Sequence, residues 1–464
     1  MRLSTLAIVL FAFAAMPVPA WTELSPPVPD TGSAGIPAGL FKEPSPRILE
    51  KIEVDRVWSG HPVGFSLLTR GDRQFAAYYD AERHMTVASR KLDEKDWHRV
   101  RLPEELNWDS HNSVTLAVDG AGCLHLSGNM HVRPLVYFRT AKALDIDTFE
   151  RAPMTGARES RVTYPTFLNG PSGELLFTYR DGASGNGDQV YNVYDTAQRS
   201  WRRLLDTSLC AGNGRMNAYL SGPVKGPDGL FHLCWVWRDT PDCATNHDVS
   251  YARSRDMVHW ENAAGEALEL PITLESRGVV VDPVPPGGGV INGNTTLGFD
   301  HRNRPVVSYH KYDAAGKTQL YNARLEDGAW KICQTSDWDY RWEFSGGGSI
   351  PFEIRVSPVS PAADGFLRQP FSHPKCGGGI WKLDEDTLKP VGTVTEPVSL
   401  PGELGRLESE FPDMHIRRAQ DLGGGPEAGT RFLLQWETLG PNRDRPREGA
   451  PPPSALWLLK LGDK

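Results

Sequence analysis

Lysine and arginine form no run anywhere in this 464-residue chain, and the formal net charge is −8. A nucleic-acid partner, which needs a basic face, is therefore excluded. After the first twenty residues no stretch is apolar enough to span a bilayer, which takes about 20 residues. Sustained 3.6-residue periodicity is missing too, and 46 glycines and 37 prolines are spread throughout, against long helices. Cysteine is scarce, with six residues and no CxxC. Buried thiols and at most one disulfide are expected, with Cys234 and Cys243 the best pair. A His/Cys metal site using His232 or His247 is the alternative.

What is present begins with a secretory signal over 1–20. Arg2 supplies the positive start, Leu6 to Ala15 the apolar stretch, and Val18-Pro19-Ala20 a small-residue cleavage site before Trp21. A retained anchor is the competing reading. Residues 21–46, rich in proline and polar groups, read as an extended arm. The protein is thus expected to be secreted or periplasmic, and a monomer.

From residue 47 onward one unit recurs: an apolar strand, a turn, a second strand rich in Tyr, Trp or His, and a third of the type x-Y-x-R. Second strands are expected at 74–80, 123–129, 174–181, 230–239, 304–313, 365–373 and 431–437. Third strands follow at 85–91, 135–140, 189–195, 249–254, 319–325, 379–383 and 455–461. Trp97, Trp201, Trp260 and Trp330 open fourth strands. A period near 50 residues built from four short strands signals propeller blades. The fold class is all-β, a seven-bladed β-propeller over 47–464. The seventh unit stops at its third strand, so Ile48–Val57 is expected to add the outer strand of the last blade and close the ring. Two β-sandwiches are the plainer alternative. SRDMVHW (254–260) resembles a worn Asp-box without its glycine.

Starts of first strands and ends of second strands share one face near a propeller's axis. His111, Tyr164, Tyr219 and Asn292 or Asn294 open first strands there. His131, Arg180, Arg238 and His310-Lys311 end second strands. Such a mouth on an acidic protein suits an anionic ligand. It also suits β-elimination at a uronic acid, which needs a cation on the carboxylate, a base for the C5 proton and an acid for O4. Arginine's fork matches a carboxylate, and tyrosine or histidine can move the proton. His111, His131, Tyr164 and Arg180 are the catalytic set; Tyr219, Arg238, His310 and Asn112 are expected to bind substrate. No facing acidic pair, the usual requirement for glycoside hydrolysis, is visible. Asp181 and Asp239 are expected to orient the arginines that precede them. The bland readings are blade-edge histidines, a packed Tyr164 and an Arg180 paired with Asp181 or Asp188. Trp108, Trp235, Trp237 and Trp338 are stacking platforms or, as the better reading, core.

Three stretches carry a family resemblance: SHNSVTLAVDGAGCLHLSGNMH (110–131), TYPTFLNGPSGELLFTYRDGASGNG (163–187) and NHDVSYARSRDMVHW (246–260). They resemble the BNR-repeat-like propellers that include the seven-bladed ulvan lyases. The resemblance implies a lyase of a uronate-containing acidic polysaccharide. It implies that Tyr164 and one of His111 and His131 transfer protons, while Arg180 and the other histidine meet the carboxylate. No cofactor is required for this chemistry, though such lyases can carry a structural metal. The segments that would form blades six and seven depart from the family, which leaves the polymer open. A sialidase-like or rhamnosidase-like hydrolase and a non-catalytic glycan-binding propeller are the other readings.

Overall fold

The computed structural model describes residues 46–395, 400–423 and 429–462. The signal and nearly all of the arm lie outside the described residues. Alternating burial along short segments leaves each strand one face to bury, and pairing into antiparallel hairpins satisfies the backbone. The described residues form seven antiparallel sheets in chain order, mostly meanders of four strands, with three short 3-10 turns as the helical content. The first is Ser66–Arg70, Arg73–Tyr79, His84–Lys91 and His98–Glu105. Each expected second and third strand lies on an observed one, such as Phe231–Arg238 and Asn246–Ser254 for 230–239 and 249–254.

Arg47–Val57 is the outer strand of the sheet that ends the chain, antiparallel to Ser454–Gly462 with Ile52 opposite Leu458. That sheet continues through Thr430–Leu439 to Met414–Gln420. Innermost strands of successive sheets touch: Ser66–Arg70 meets Val114–Val118, which meets Val162–Asn169, and Asn217–Lys225 meets Thr296–Phe299. Ser66–Arg70 also meets Met414–Gln420 of the last sheet. The arrangement is propeller-like. The core lies between sheets, as when Leu176 and Val193 pack with Leu233 and Trp235 of the next.

Two sequence readings are corrected. Cys234 and Cys243 are unpaired, and all six cysteines are free thiols. Cys234 faces the core between the fourth and fifth sheets, while Cys243 packs on a different cluster with Ile291 and Trp338. His232 and His247 are also committed elsewhere. His232 bonds Tyr251 and Asp228, and His247 lies between Asp239 and Asp248. The worn Asp-box keeps its turn without glycine: Asp256 accepts from the backbone of Val258 and His259, and Met257 takes the positive φ, 62°.

The terminal pairing is testable in solution. Leu458 is fully buried between Ile52 and Leu434. Leu458→Ala should destabilise by about 2–5 kcal/mol in equilibrium denaturation. Val391→Ala, on an exposed strand, should stay within about 0.5 kcal/mol. Equal effects would show that the pairing of Arg47–Val57 with Ser454–Gly462 adds little to stability.

Candidate active site

A backbone register assembles the site. His131–Arg133 leaves the second sheet and pairs with the edge of the third, placing His131 opposite Thr163. Thr163 in turn lies opposite Arg180 on the neighbouring strand. His131, Thr163 and Arg180 thus form one row across three strands of the third sheet. Next to it the ladder slips between Thr163 and Thr166, and Tyr164 sits in that bulge with φ 55°. A bulge re-aims a side chain, and an aromatic residue at positive φ before a proline is a costly conformation that persists only where its surroundings enforce it. Val132, a β-branched residue beside His131, is also left-handed at φ 59°.

The side chains converge. Ring centroids lie 4.3 Å apart for His111 and His131, 5.7 Å for His111 and Tyr164, and 5.9 Å for His131 and Tyr164. The Arg180 guanidinium lies 4.9 Å from the Tyr164 ring centre and 5.0 Å from that of Tyr219. Arg180 is 2% exposed; its Nε donates to the carbonyl of Gly182, and Nη1 and Nη2 have no hydrogen-bond partner among the described residues. Tyr219 shares a 2.7 Å hydrogen bond with Ser184 and receives one of 3.4 Å from Arg238. Arg238 also donates to Asn292 at 3.2 Å and to the carbonyls of Thr240 and Pro241.

Two carboxylates that the sequence reading missed reach the same place. Asp109 takes His111 Nδ1 on one oxygen at 2.7 Å and His131 Nδ1 on the other at 2.6 Å. Asp444, from the loop before the final strand, lies 3.3 Å from His111 Nδ1. A D-x-H spacing at 109–111 was the available hint for Asp109, whereas nothing local announces Asp444. Asp109, His111 and His131 are close enough to be tested as a cation site. Their contacts are hydrogen-bond distances, shorter than the spread of donors around a metal, so they read as proton bridges.

Other expectations fail for clear reasons. Asp181 and Asp188 both bind Arg158, and Asp239 binds His247, so none orients Arg180 or Arg238. His310 is fully buried behind Trp342 and Phe344, with its pKa lowered by burial to about 4, and it does not line the mouth. Lys311 is paired with Asp282. Asn112 is also fully buried; its amide nitrogen bonds Asn107 and its backbone carbonyl takes the Tyr79 hydroxyl. Trp235, Trp237 and Trp338 are core, and Trp108 packs on Trp58 and His61.

The charges pull the groups apart. Burial opposes a charged His111, but the carboxylates of Asp109 and Asp444 at its Nδ1 outweigh it and hold its pKa well above 6.5. Burial would raise Asp109, yet the two histidines keep it far below the usual carboxylate range. For Tyr164 burial wins over His111 and Arg180, and the phenol is raised above 10. For Tyr219 burial loses to Arg180 and Arg238, and the phenol falls below 10.

The model of the BNR repeat-containing family matches residues 73–338, more than half of the chain. The chain belongs to that family. An ulvan lyase, short isoform, of Alteromonas sp. (strain LOR) is 28% identical over 155 residues, 30% of this chain and 29% of that protein. The alignment thus spans under a third of that relative. The crystal structure of the polysaccharide lyase Uly1 has a TM-score of 0.61 at 14% identity, covering 90% of this chain and all of that one. A PL25 ulvan lyase, and the same described as bound to -[GlcA(1-4)Rha3S]-, each give 0.58 at 14% identity over 89% of this chain and 96% of that one. These likenesses establish the fold of this BNR-repeat chain as all-β and propeller-like.

The two tyrosines can be separated by titration. One phenol should ionise below the ordinary value of 10 in a spectrophotometric titration. Tyr219→Phe should abolish that early step and Tyr164→Phe should leave it. Retention in Tyr219→Phe would assign the low phenol elsewhere.

Proposed function

We propose that this is an exported lyase that cleaves a uronate-containing acidic polysaccharide, ulvan-like in charge, by β-elimination. In this reading residues 1–20 are the export signal, and the seven sheets are blades of a ring closed by Arg47–Val57. The observation that carries the reading is Arg180. A guanidinium that is 2% exposed, with two nitrogens unspent between two tyrosine rings, is an unmet demand for a planar anion. The partial likeness to an ulvan lyase and the PL25 fold support the same chemistry.

The reaction then runs as follows. Arg180 and charged His111 hold the uronate carboxylate, so negative charge can build on C5 and its carboxylate. His131, whose Nδ1 faces Asp109, presents the lone pair of Nε2 in its neutral form and takes the C5 proton. The electron pair of the C5–H bond becomes the C4=C5 double bond, and the C4–O4 bond breaks. Tyr164, kept protonated by burial, gives its proton to O4. Tyr219 and Arg238 flank the sugar. No step calls for a metal or an organic cofactor.

Asp109 and Asp444 do not restore a glycosidase reading. A hydrolytic acid needs a raised pKa, whereas the Asp109 carboxyl is far below the usual range and Asp444 is held at about 2.

Incubation with a panel of uronate glycans, followed by the ultraviolet absorbance of the unsaturated uronate, tests this directly. Tyr164→Phe should lower turnover by about 10²–10⁴-fold with the melting temperature nearly unchanged. Arg180→Lys, which keeps charge but loses the fork, should be substantially impaired as well. Reducing ends without the chromophore would mean hydrolysis, and binding without either product would mean a glycan-binding propeller.

A further inference from the structure

Two histidines that both need their Nδ1 atoms held, with one carboxylate between them, form an unequal pair once Asp444 is counted. Asp109 spends one oxygen on each ring, and a single carboxylate can balance only one imidazolium. Asp444 approaches His111 alone, 3.3 Å from Nδ1.

Asp444 is itself firmly placed. One of its oxygens accepts from Ser110 N at 3.1 Å and Ser349 Oγ at 2.7 Å; the other accepts from Ser349 N at 3.0 Å. One side chain therefore joins the loop before His111, the segment leading to the sixth sheet, and the loop of the last sheet. Its backbone, like that of Arg443, is left-handed, with φ 58° and 54°. Two consecutive residues other than glycine in that region cost energy that the contacts must offset. Arg443 turns away, donating to the carbonyls of Ser345 and Gly347, and so leaves the Asp444 charge to His111.

We propose that Asp444, together with Asp109, is a positioning residue that keeps His111 as the imidazolium of the pair and leaves His131, which shares Asp109 only, as the neutral partner. The other groups facing this cluster are Tyr164 and, behind Asp109, His61 with Arg83 beyond it. His61 is held neutral by burial, with its pKa lowered to about 4, so it adds no competing cation. With both Nδ1 atoms directed at carboxylates, both Nε2 atoms lie on the opposite side of their rings. The pair then offers one charged donor and one free acceptor at fixed positions. The assignment deepens the lyase reading, since it decides which histidine meets the carboxylate and which takes the proton.

The test has a readout independent of lyase activity. Imidazole nitrogen NMR on the full chain, with signals assigned through His111→Gln and His131→Gln, follows each ring through a pH titration. His111 should titrate above His131 in the wild-type protein. Asp444→Asn should lower the His111 midpoint by about one unit or more, the usual effect of removing a neighbouring opposite charge, and move His131 less. Turnover of Asp444→Asn should fall about 10–100-fold, with its pH profile displaced in the same direction as the His111 midpoint. If that variant does not fold, the wild-type titration decides alone. A His111 that titrates no higher than His131, or a midpoint unmoved in Asp444→Asn, would overturn the proposal. So would stoichiometric zinc in the purified protein that Asp109→Asn loses. The expected titration without lyase activity on any uronate glycan would leave the positioning role standing and reject the lyase reading.

Discussion

A buried guanidinium with two unspent nitrogens organises this molecule's functional face. Removing a cation from water costs several kcal/mol unless it is paired, and among the described residues Arg180 has the Gly182 carbonyl and the faces of two tyrosines. Ring faces give about 1–2 kcal/mol in such a place, which leaves the charge under-compensated. The neighbouring acids that could have quenched it are occupied: Asp181 and Asp188 are both drawn to Arg158. The site is thus pre-arranged for an anion that the protein itself does not provide.

Holding that arrangement requires rigidity, and the sheets supply it through register. The row His131, Thr163, Arg180 is fixed by backbone pairing of three strands in one sheet, and Tyr164 is aimed by the bulge next to it. Strain at Tyr164, Val132, Arg443 and Asp444 gathers around the same few side chains. Positions that break the regular ladder are where the fold gives up local comfort for geometry.

Most of the fold was legible because propeller strands alternate in a simple way and are punctuated by Gly, Asp and Asn. Even the outer strand Arg47–Val57 followed from counting, since the last unit lacked a fourth strand. The grouping of His111, His131, Tyr164 and Arg180 was legible too, because strand direction alone brings those ends to one face. Burial was harder to see. His310 and Asn112 occupy the right strand ends yet lie under neighbouring side chains, and sequence periodicity does not say how a loop such as 341–345 folds back. Charge pairing was misjudged for a related reason. Asp181 follows Arg180 in the chain, but successive residues on a strand point to opposite faces, so adjacency argued for contact where geometry forbids it. Asp444 arrives through a long loop more than three hundred residues after its partner, and no local pattern encodes such a meeting.

In the proposed lyase reading, the two missed carboxylates also explain how an acidic protein could present a site for an acidic polymer. A mouth lined only with arginine, histidine and tyrosine would bind a polyanion and hold it, and its histidines would carry no defined proton. Asp109 lies on the Nδ1 side of both imidazoles and Asp444 on that of His111, so they lower the repulsion among cations and leave the Nε2 atoms free. They also make the two histidines unlike. Arg180, by contrast, receives no such carboxylate among the described residues and keeps its full pull for an anion. In the proposed lyase reading, the task is divided within one pocket: Arg180 and the doubly held His111 would fix the carboxylate, while His131, held by Asp109 alone, would take the proton.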